Sequence, residues 1–248
     1  LPPHFWIEPT VDQHVVCGTP QARQQALALG VPRERTTLVS GMLLRPAFYE
    51  LPAGDRERER SDLGLDPARP TAAVMYGGQG SMEMLRIARA LPDLQLIVFT
   101  GHHVALADAL RQLRRPAPMA VLGFTTEVPR LLRLADLFIG KPGPGCLSEA
   151  LHLGLPVITF DHARTMPQER FNTRWVRELG VGLVLPSLAA LPDGVAQLLP
   201  RLDDYRARVA WLDNRAIFEV PDLLAQLMPA GAGLAAPAAL PEVRRLAA

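Results

Sequence analysis

The sequence has few of the features that mark several large classes of protein. Its 248 residues include only two cysteines, Cys17 and Cys146, which excludes a disulfide scaffold or a cysteine-rich zinc site and fits a reducing cytosol. No apolar run approaches the ~20 residues that a membrane-spanning helix needs. With 26 basic and 25 acidic residues the net charge is +1, so we predict no nucleic-acid partner.

Familiar catalytic and metal-binding motifs are missing as well. We find no Ser/His/Asp arrangement, no HExxH or CxxC motif, no Walker loop and no complete GxGxxG fingerprint. His102 and His103 follow a predicted strand, but no carboxylates stand at a matching spacing, so we interpret them as solvated histidines and predict no bound metal. The remaining polar residues suit chemistry that only requires a diphosphate and a hydroxylated sugar to be held.

What the chain does contain is the pattern of an α/β protein. Hydrophobic residues make up 48% and charged residues 21%, as in globular proteins. Short runs of Val, Ile and Leu alternate with amphipathic stretches, which indicates βα units around a parallel sheet covered by helices on both faces. The predicted strands are 14–19, 36–41, 71–76, 94–100, 119–124, 137–140, 157–160 and 181–185. The predicted helices are 20–30, 81–91, 104–114, 127–135, 146–153 and 169–179, with weaker helices in 188–227.

These elements suggest three regions. The series that begins at residue 71 predicts a complete Rossmann-like, doubly wound sheet, whereas the strands and helix before residue 45 look like the last βα unit of a preceding domain. We therefore assign residues 1–45 to the end of an N-terminal lobe and a hinge, 46–228 to a C-terminal lobe, and 229–248 to a disordered tail rich in Ala and Pro. The chain starts at Leu1 without a signal segment, and we expect it to be a fragment.

Two glycine-containing loops follow predicted strands, where ligands of such sheets bind. The first contains Gly77, Gly78, Gln79 and Gly80. Glycine lets the backbone approach a ligand closely, and the helix that follows favours an anion at its N-terminus. A tight strand-to-helix turn without a ligand explains this loop equally well.

The second loop is more informative. Its residues are Lys141, Pro142, Gly143, Pro144, Gly145 and Cys146. The glycines and prolines predict a rigid turn before a helix whose N–H groups are able to bind a diphosphate, and Lys141 is the only lysine of the chain. Glu149, one turn further on, suits two ribose hydroxyls. The alternatives are a first-turn glutamate that interacts with the helix dipole and a solvated loop lysine.

A third cluster consists of Gln168, Glu169 and Asn172 at the start of a predicted helix. Their planar groups donate or accept hydrogen bonds in pairs, which suits a ligand rich in hydroxyls. Ordinary capping and first-turn residues are the alternative.

Together these segments resemble glycosyltransferase family 28, which includes the monogalactosyldiacylglycerol synthases and the peptidoglycan N-acetylglucosaminyltransferase that forms lipid II. The run from Gly140 to Ala150, followed by Gly154, Leu155 and Pro156, resembles the donor-binding segment of that family. The other matching segments are Tyr76 to Gly80, Leu122 to Phe124, Gln168 to Asn172, and Ser40 to Phe48 at the hinge.

The resemblance implies a GT-B architecture, in which two Rossmann-like lobes enclose the substrates and the C-terminal lobe holds the nucleotide sugar. It implies an enzyme that inverts the anomeric carbon without a cofactor or bound metal. It also implies that Phe124 contacts uracil, that Glu149 holds the ribose, that residues 143–146 face the diphosphate, and that Gln168, Glu169 and Asn172 contact the sugar. The helix dipole and Lys141 would stabilise the departing UDP.

Two residues depart from the family pattern. Cys146 stands where threonine or serine is usual, so a hydroxyl contact to phosphate is lost and only the backbone contact is kept. The Gly80-Ser81 pair is less rich in glycine than the loop of the galactolipid enzymes.

We therefore expect the donor-binding part of a UDP-sugar-dependent hexosyltransferase that acts on a lipid or lipid-linked hydroxyl in a bacterial cell envelope. The acceptor site, the general base and the contact with the lipid acceptor would belong to the N-terminal lobe. We expect a cytoplasmic location, with peripheral association at the inner face of the cytoplasmic membrane left open. A non-catalytic UDP-sugar-binding subunit of a split enzyme, a UDP-sugar 2-epimerase and an NAD-binding domain are the alternatives.

Overall fold

The computed structural model describes residues 7–8, 10–51, 53–163 and 165–228. Contacts within the chain divide these residues into two compact units. One unit combines the described residues up to 51 with those from 213 to 228, and the other runs from 53 to 212. None of the described helices is long and apolar enough to cross a bilayer.

The first unit begins with a short βαβ segment. Strand β1 (Val15–Cys17) leads into helix α1 (Pro20–Ala28), and β2 (Thr36–Leu38) pairs in parallel with β1. The helix begins at Pro20 because Thr19 Oγ1 accepts a hydrogen bond from Ala22 N at 3.1 Å and proline suits the first helical position. The two predicted strands and the helix are confirmed, and each is shorter than predicted.

The second unit is built on a parallel sheet. Its strands are β3 (Thr71–Met75), β4 (Gln95–Gly101), β5 (Met119–Gly123), β6 (Leu137–Gly140), β7 (Val157–Phe160) and β8 (Gly182–Leu185). They lie in the order β5-β4-β3-β6-β7-β8, and every residue of β3, β6 and β7 is buried. The chain moves outward from β3 to β5 and then returns to β6, so the topological switch point lies between β3 and β6. The predicted doubly wound sheet is confirmed.

Helices precede, connect and follow these strands. They are α2 (Arg56–Asp62), α3 (Glu83–Ala90), α4 (Val104–Arg111), α5 (Val128–Leu132), α6 (Pro144–His152), α7 (Arg170–Leu179), α8 (Leu191–Leu198) and α9 (Leu202–Val209). The hydrophobic pattern does not predict α2, whose sequence RERERSD has no apolar face. Asp55 starts it by accepting hydrogen bonds from Glu57 N and Arg58 N, both at 3.1 Å.

Asp136 joins α2 and α9 to the amino-terminal edge of the sheet. Its carboxylate lies 2.8 Å from Arg56 Nη2, 2.6 Å from Arg60 Nη2 and 2.8 Å from Arg206 Nη2, and it accepts a hydrogen bond from Thr71 N at 2.9 Å. Arg60 is buried although it is charged. This ion cluster stabilises the edge opposite the one where ligands bind.

The last described helix, α10 (Ala216–Leu227), belongs to the first unit. Glu219 Oε2 accepts hydrogen bonds from Ser40 N at 2.7 Å and Ser40 Oγ at 2.9 Å, and Arg215 N donates to Ser40 Oγ at 2.6 Å. The sequence prediction placed this segment in the C-terminal lobe, because nothing in a helical pattern shows which unit the helix packs on. The assignment of residues 1–45 to an acceptor lobe stays a prediction, and the predicted tail, 229–248, lies outside the described residues.

Candidate functional site

The first glycine loop follows β3 and needs glycine at two positions. Gly77 has a φ of 77° and Gly80 a φ of 63°, which is the left-handed region that favours glycine. A Cβ at Gly80 would also lie 2.6 Å from Thr100 O. Gly78 and Gln79 are exposed, and a Cβ at Gly78 would meet nothing within 4 Å. The loop therefore has backbone that is open to a ligand.

The second glycine loop leads from β6 into α6 at the switch point. Gly143 is the N-cap, with extended backbone and no hydrogen bond from a side chain, and Pro144 is the first helical residue. The first N–H groups of a helix have no partner within the helix, and the one of Cys146 contacts its own thiol, so the Gly145 N–H is the group that suits a ligand. A Cβ at Gly145 would meet nothing within 4 Å, which places open space beside this group. This geometry fits an anion at the N-terminus of α6.

The helix begins two residues earlier than the sequence predicts, which changes the interpretation of Glu149. The first turn of α6 contains no acidic residue, so Glu149 lies in the second turn. The first-turn alternative is therefore wrong, because proline at the first helical position extended the helix toward the loop.

Cys146 connects the two glycine loops. Burial and the negative charge of Glu149 raise the pKa of its thiol, hydrogen bonds from the N–H groups of Gly77 and Cys146 and the charge of Lys141 lower it, and the balance places the pKa at about 11. The thiol is thus protonated at neutral pH and contacts the backbone of the first loop. The structure brings together these two predicted ligand-binding loops.

Lys141 and Glu169 form an ion pair that joins the second glycine loop to the start of α7. The distance from Lys141 Nζ to Glu169 Oε1 is 3.1 Å, and the Glu169 side chain is buried. Asn172 Nδ2 donates to Pro142 O at 2.7 Å across the same boundary. Lys141 is therefore ion-paired although 41% of its side chain is exposed, and one donor of the Asn172 amide holds the loop. Gln168 is separate from this group, since its Nε2 lies 3.5 Å from Met166 Sδ on an exposed surface.

Phe124 follows β5, and its exposed fraction is 62%. Its ring stacks on His102, with ring centroids 4.2 Å apart and an angle of 18° between the planes. His103 Nδ1 accepts a hydrogen bond from Leu106 N at 3.2 Å and caps α4. His102 is exposed, as the interpretation of a solvated histidine predicts, and His103 is half-buried. That interpretation did not include the stack or the cap, because neither contact has a signal in the local sequence.

A cavity of about 500 Å³ opens at the carboxyl ends of β3, β6, β7 and β8. It is lined by Tyr76, Glu83, Arg86, Lys141, Pro142, Phe160, His162, Ala163, Thr165, Glu169, Pro186, Ser187 and Leu188. Lys141 and Glu169 belong to the predicted site residues. Glu83 and Arg86, paired at 2.7 Å, and His162 were not predicted, because they come from segments without a glycine or polar cluster. Among the described residues, no group of three His, Cys, Asp or Glu side chains lies close enough to hold a metal.

A comparison with models of protein families matches residues 81–226 to the glycosyltransferase family 28 C-terminal domain. The match spans more than half of the chain and includes the second glycine loop, Glu149 and the start of α7. The chain belongs to glycosyltransferase family 28. Membership favours the glycosyltransferase hypothesis over the epimerase and the NAD-binding domain.

Curated plant proteins are similar to this chain. It is 32% identical over 177 residues to the probable chloroplastic monogalactosyldiacylglycerol synthase of Glycine max, which covers 67% of this chain and 33% of that protein. It is 33% identical over 170 residues to the chloroplastic monogalactosyldiacylglycerol synthase of Spinacia oleracea, and this match covers 64% of this chain and 32% of that protein. The chain thus spans about a third of the length of these relatives.

Solved glycosyltransferases share the fold. WaaG, a glycosyltransferase involved in lipopolysaccharide biosynthesis, has a TM-score of 0.60 at 17% identity, over 90% of this chain and 65% of that one. MurG of Acinetobacter baumannii has a TM-score of 0.53 at 17% identity, over 91% of this chain and 76% of that one. HepE of Anabaena, solved with UDP-glucose, has a TM-score of 0.55 at 15% identity, over 86% of this chain and 64% of that one. The predicted GT-B fold class is therefore confirmed.

Proposed function

We propose that this chain binds the donor of an inverting glycosyltransferase, which transfers a hexosyl group from a UDP-sugar to a hydroxyl of a lipid or lipid-linked acceptor. The observation that carries the proposal is the uncapped N-terminus of α6, which opens beside the first glycine loop at the switch point of a family 28 domain. The similarity to monogalactosyldiacylglycerol synthases supports a lipid acceptor.

The diphosphate would bind to backbone groups. Gly145 N at the start of α6 would donate to it, the dipole of α6 would favour its negative charge, and the open backbone of Gly78 lies on the other loop. Lys141 supplies positive charge, although its ion pair with Glu169 lowers the net charge of this part of the site. Backbone N–H groups therefore contribute most of the attraction, and Lys141 adjusts it.

Glu149 and Phe124 would hold the nucleoside. In the second turn of α6, the Glu149 carboxylate stands one turn beyond the diphosphate-binding N–H groups, which suits two ribose hydroxyls. Phe124 presents an exposed ring at the end of β5, where it would contact uracil.

The hexosyl group would lie toward the cavity that Lys141 and Glu169 line. Glu169 Oε1 is paired with Lys141, so its second carboxylate oxygen would accept from a sugar hydroxyl, and the half-buried Gln168, next to it in the chain, would add an amide group. Asn172 contributes indirectly, since its hydrogen bond to Pro142 O holds the loop in place.

Transfer would proceed by attack of the acceptor oxygen on C1 of the hexosyl group, opposite the bond to UDP. The C1–O bond to the β-phosphate breaks and its electron pair stays on that oxygen, while the acceptor proton passes to a base outside this chain. The N-terminus of α6 and Lys141 stabilise the negative charge that develops on UDP. No metal or cofactor is part of the proposal.

This division of labour predicts a chain that binds UDP and does not transfer sugar by itself. The measurement is release of UDP from UDP-galactose and UDP-glucose in mixed micelles that contain diacylglycerol, with a complete monogalactosyldiacylglycerol synthase as the positive control. Acceptor-dependent release of UDP by this chain alone would show that it carries its own general base, and the assignment of the base elsewhere would be wrong.

The C146T variant is expected to bind UDP about fivefold more tightly, which corresponds to ~1 kcal/mol. A threonine hydroxyl is a better hydrogen-bond donor to phosphate than a thiol that burial keeps protonated, with a pKa of about 11. Calorimetric titration of both proteins with UDP measures the difference. The C146A variant, which removes the sulfur without adding a donor, is the control and should show no gain. Unchanged or weaker binding by C146T would contradict a phosphate position beside this residue.

A further inference from the structure

We propose that His102 is a positioning residue for the nucleobase. Its ring fixes Phe124 in the exposed orientation that a base contacts, and its backbone connects that contact to the first glycine loop. The inference rests on the proposed function, because it assigns a role within the same donor site.

The first observation is the stack itself. Phe124 is a large apolar side chain with an exposed fraction of 62% at the carboxyl end of β5. An exposed phenylalanine does not gain the free energy of burying its ring in a core, and core packing does not fix its rotamer. A specific contact is therefore needed to hold the side chain in one rotamer. The His102 ring lies 4.2 Å from the Phe124 ring at an interplanar angle of 18° and covers one face of it. The uncovered part of the ring remains available to a ligand.

The second observation is the backbone of His102. Its N–H donates to Gly78 O at 3.1 Å, in the loop after β3. The preceding residue, Gly101, has a φ of 58°, and a Cβ there would overlap Gly78 O. The pairing of β4 with β5 shifts register between Phe99 and Gly101, so the end of β4 departs from regular strand geometry on the side of β5. The backbone at this strand end is thus shaped to approach the glycine loop closely.

Together these contacts join three loops through one residue. The side chain of His102 touches the loop proposed for the base, and its main chain touches the loop proposed for the diphosphate. The two loops are therefore held at a fixed distance before a ligand that spans both of them binds. This lowers the entropy cost of ordering the loops on binding. His103 has a different task as the cap of α4, and this difference makes the adjacent residue a matched control.

The test compares four proteins: the unchanged chain and the variants H102A, H102F and H103A. Calorimetry gives the affinity of each for UDP and GDP, and thermal unfolding gives its stability. H102A removes the ring and keeps the backbone hydrogen bond to Gly78 O. We expect H102A to weaken UDP binding about three- to tenfold, the range of a lost aromatic pair, and to lower the ratio of UDP to GDP affinity. H102F, which can stack on Phe124, should restore both.

H103A separates positioning from general loss of stability. We expect it to lower the unfolding temperature through loss of the cap while the ratio of UDP to GDP affinity stays unchanged. The inference is overturned if H102A keeps the affinity ratio of the unchanged chain, or if H103A lowers the ratio as much as H102A does. If the unchanged chain shows no preference for UDP over GDP, the proposed function fails and the role of His102 in that site fails with it.

Discussion

The D136A variant is expected to lose about 3 kcal/mol of unfolding free energy, which is the largest effect on stability that we expect from one substitution. The Asp136 carboxylate accepts hydrogen bonds from Arg56, Arg60 and Arg206 and from Thr71 N. Its loss would leave three guanidinium groups close together, and Arg60 is nearly inaccessible to solvent. Arg56 and Arg206 are partly exposed, so water compensates them in part, and we place the loss at the lower end of the range for broken buried ion pairs.

Urea unfolding of D136A and of the D203A control measures this effect. Asp203 pairs with the same arginine, Arg206, at 3.6 Å, but its side chain is almost fully exposed. Removing it should change the unfolding free energy by no more than about 0.5 kcal/mol. Equal losses in the two variants would mean that Asp136 acts only as a surface charge.

The same carboxylate gives a dependence on pH. Burial alone would raise the pKa of Asp136, but hydrogen bonds from Arg56, Thr71 N and Arg60 more than offset this and hold the pKa below its usual value. The contribution of Asp136 to stability is therefore present above the pKa of an unfolded aspartate, about 3.9, and is lost as the pH falls through the lower folded value. The unchanged chain should lose stability over this acidic window more steeply than D136N does.

The E149A variant is expected to weaken UDP binding by about 1.5–3 kcal/mol, which is the range for hydrogen bonds to a charged group. Glu149 lies in the second turn of α6, where the helix dipole has little effect on a side-chain charge. A purely local role would change the stability of E149A and leave its affinity for UDP unchanged. The two roles are therefore separable in one experiment.

Calorimetry with UDP and thermal unfolding of E149A supply the two readouts. E178A is the control, because Glu178 is an exposed glutamate near the end of α7, away from the start of that helix. A fall in the unfolding temperature of E149A without a fall in UDP affinity would contradict the ribose role. Equal loss of affinity in E178A would point to a general charge effect.

The order of strands and helices was predictable from the sequence because it follows from local patterns. Both faces of β3, β6 and β7 are covered, so their residues are almost all apolar, and such runs are visible without a structure. Helix α2 was not predicted, because it lacks the apolar face that a helical pattern requires. It is polar all round, and its buried Arg60 is stabilised by Asp136, 76 residues away.

The candidate site also contains features that the sequence predicted and contacts that it did not. The first glycine loop was found because a positive φ favours glycine at Gly77 and Gly80, and the second contains Gly143 as the N-cap of α6, where glycine is a common residue. The pairing of Lys141 with Glu169 and the stack of His102 on Phe124 depend on loops that meet only after folding. Residue types alone carry no signal for such contacts.

The most direct test of the central claim is calorimetric titration of the chain with UDP, GDP, dTDP and NAD under the same conditions. A donor site of this family that reads uracil through Phe124 and ribose through Glu149 should bind UDP at least about tenfold more tightly than GDP, a difference of ~1.4 kcal/mol. It should bind NAD no better than GDP. Equal affinity for UDP and GDP, or a preference for NAD, would contradict the account.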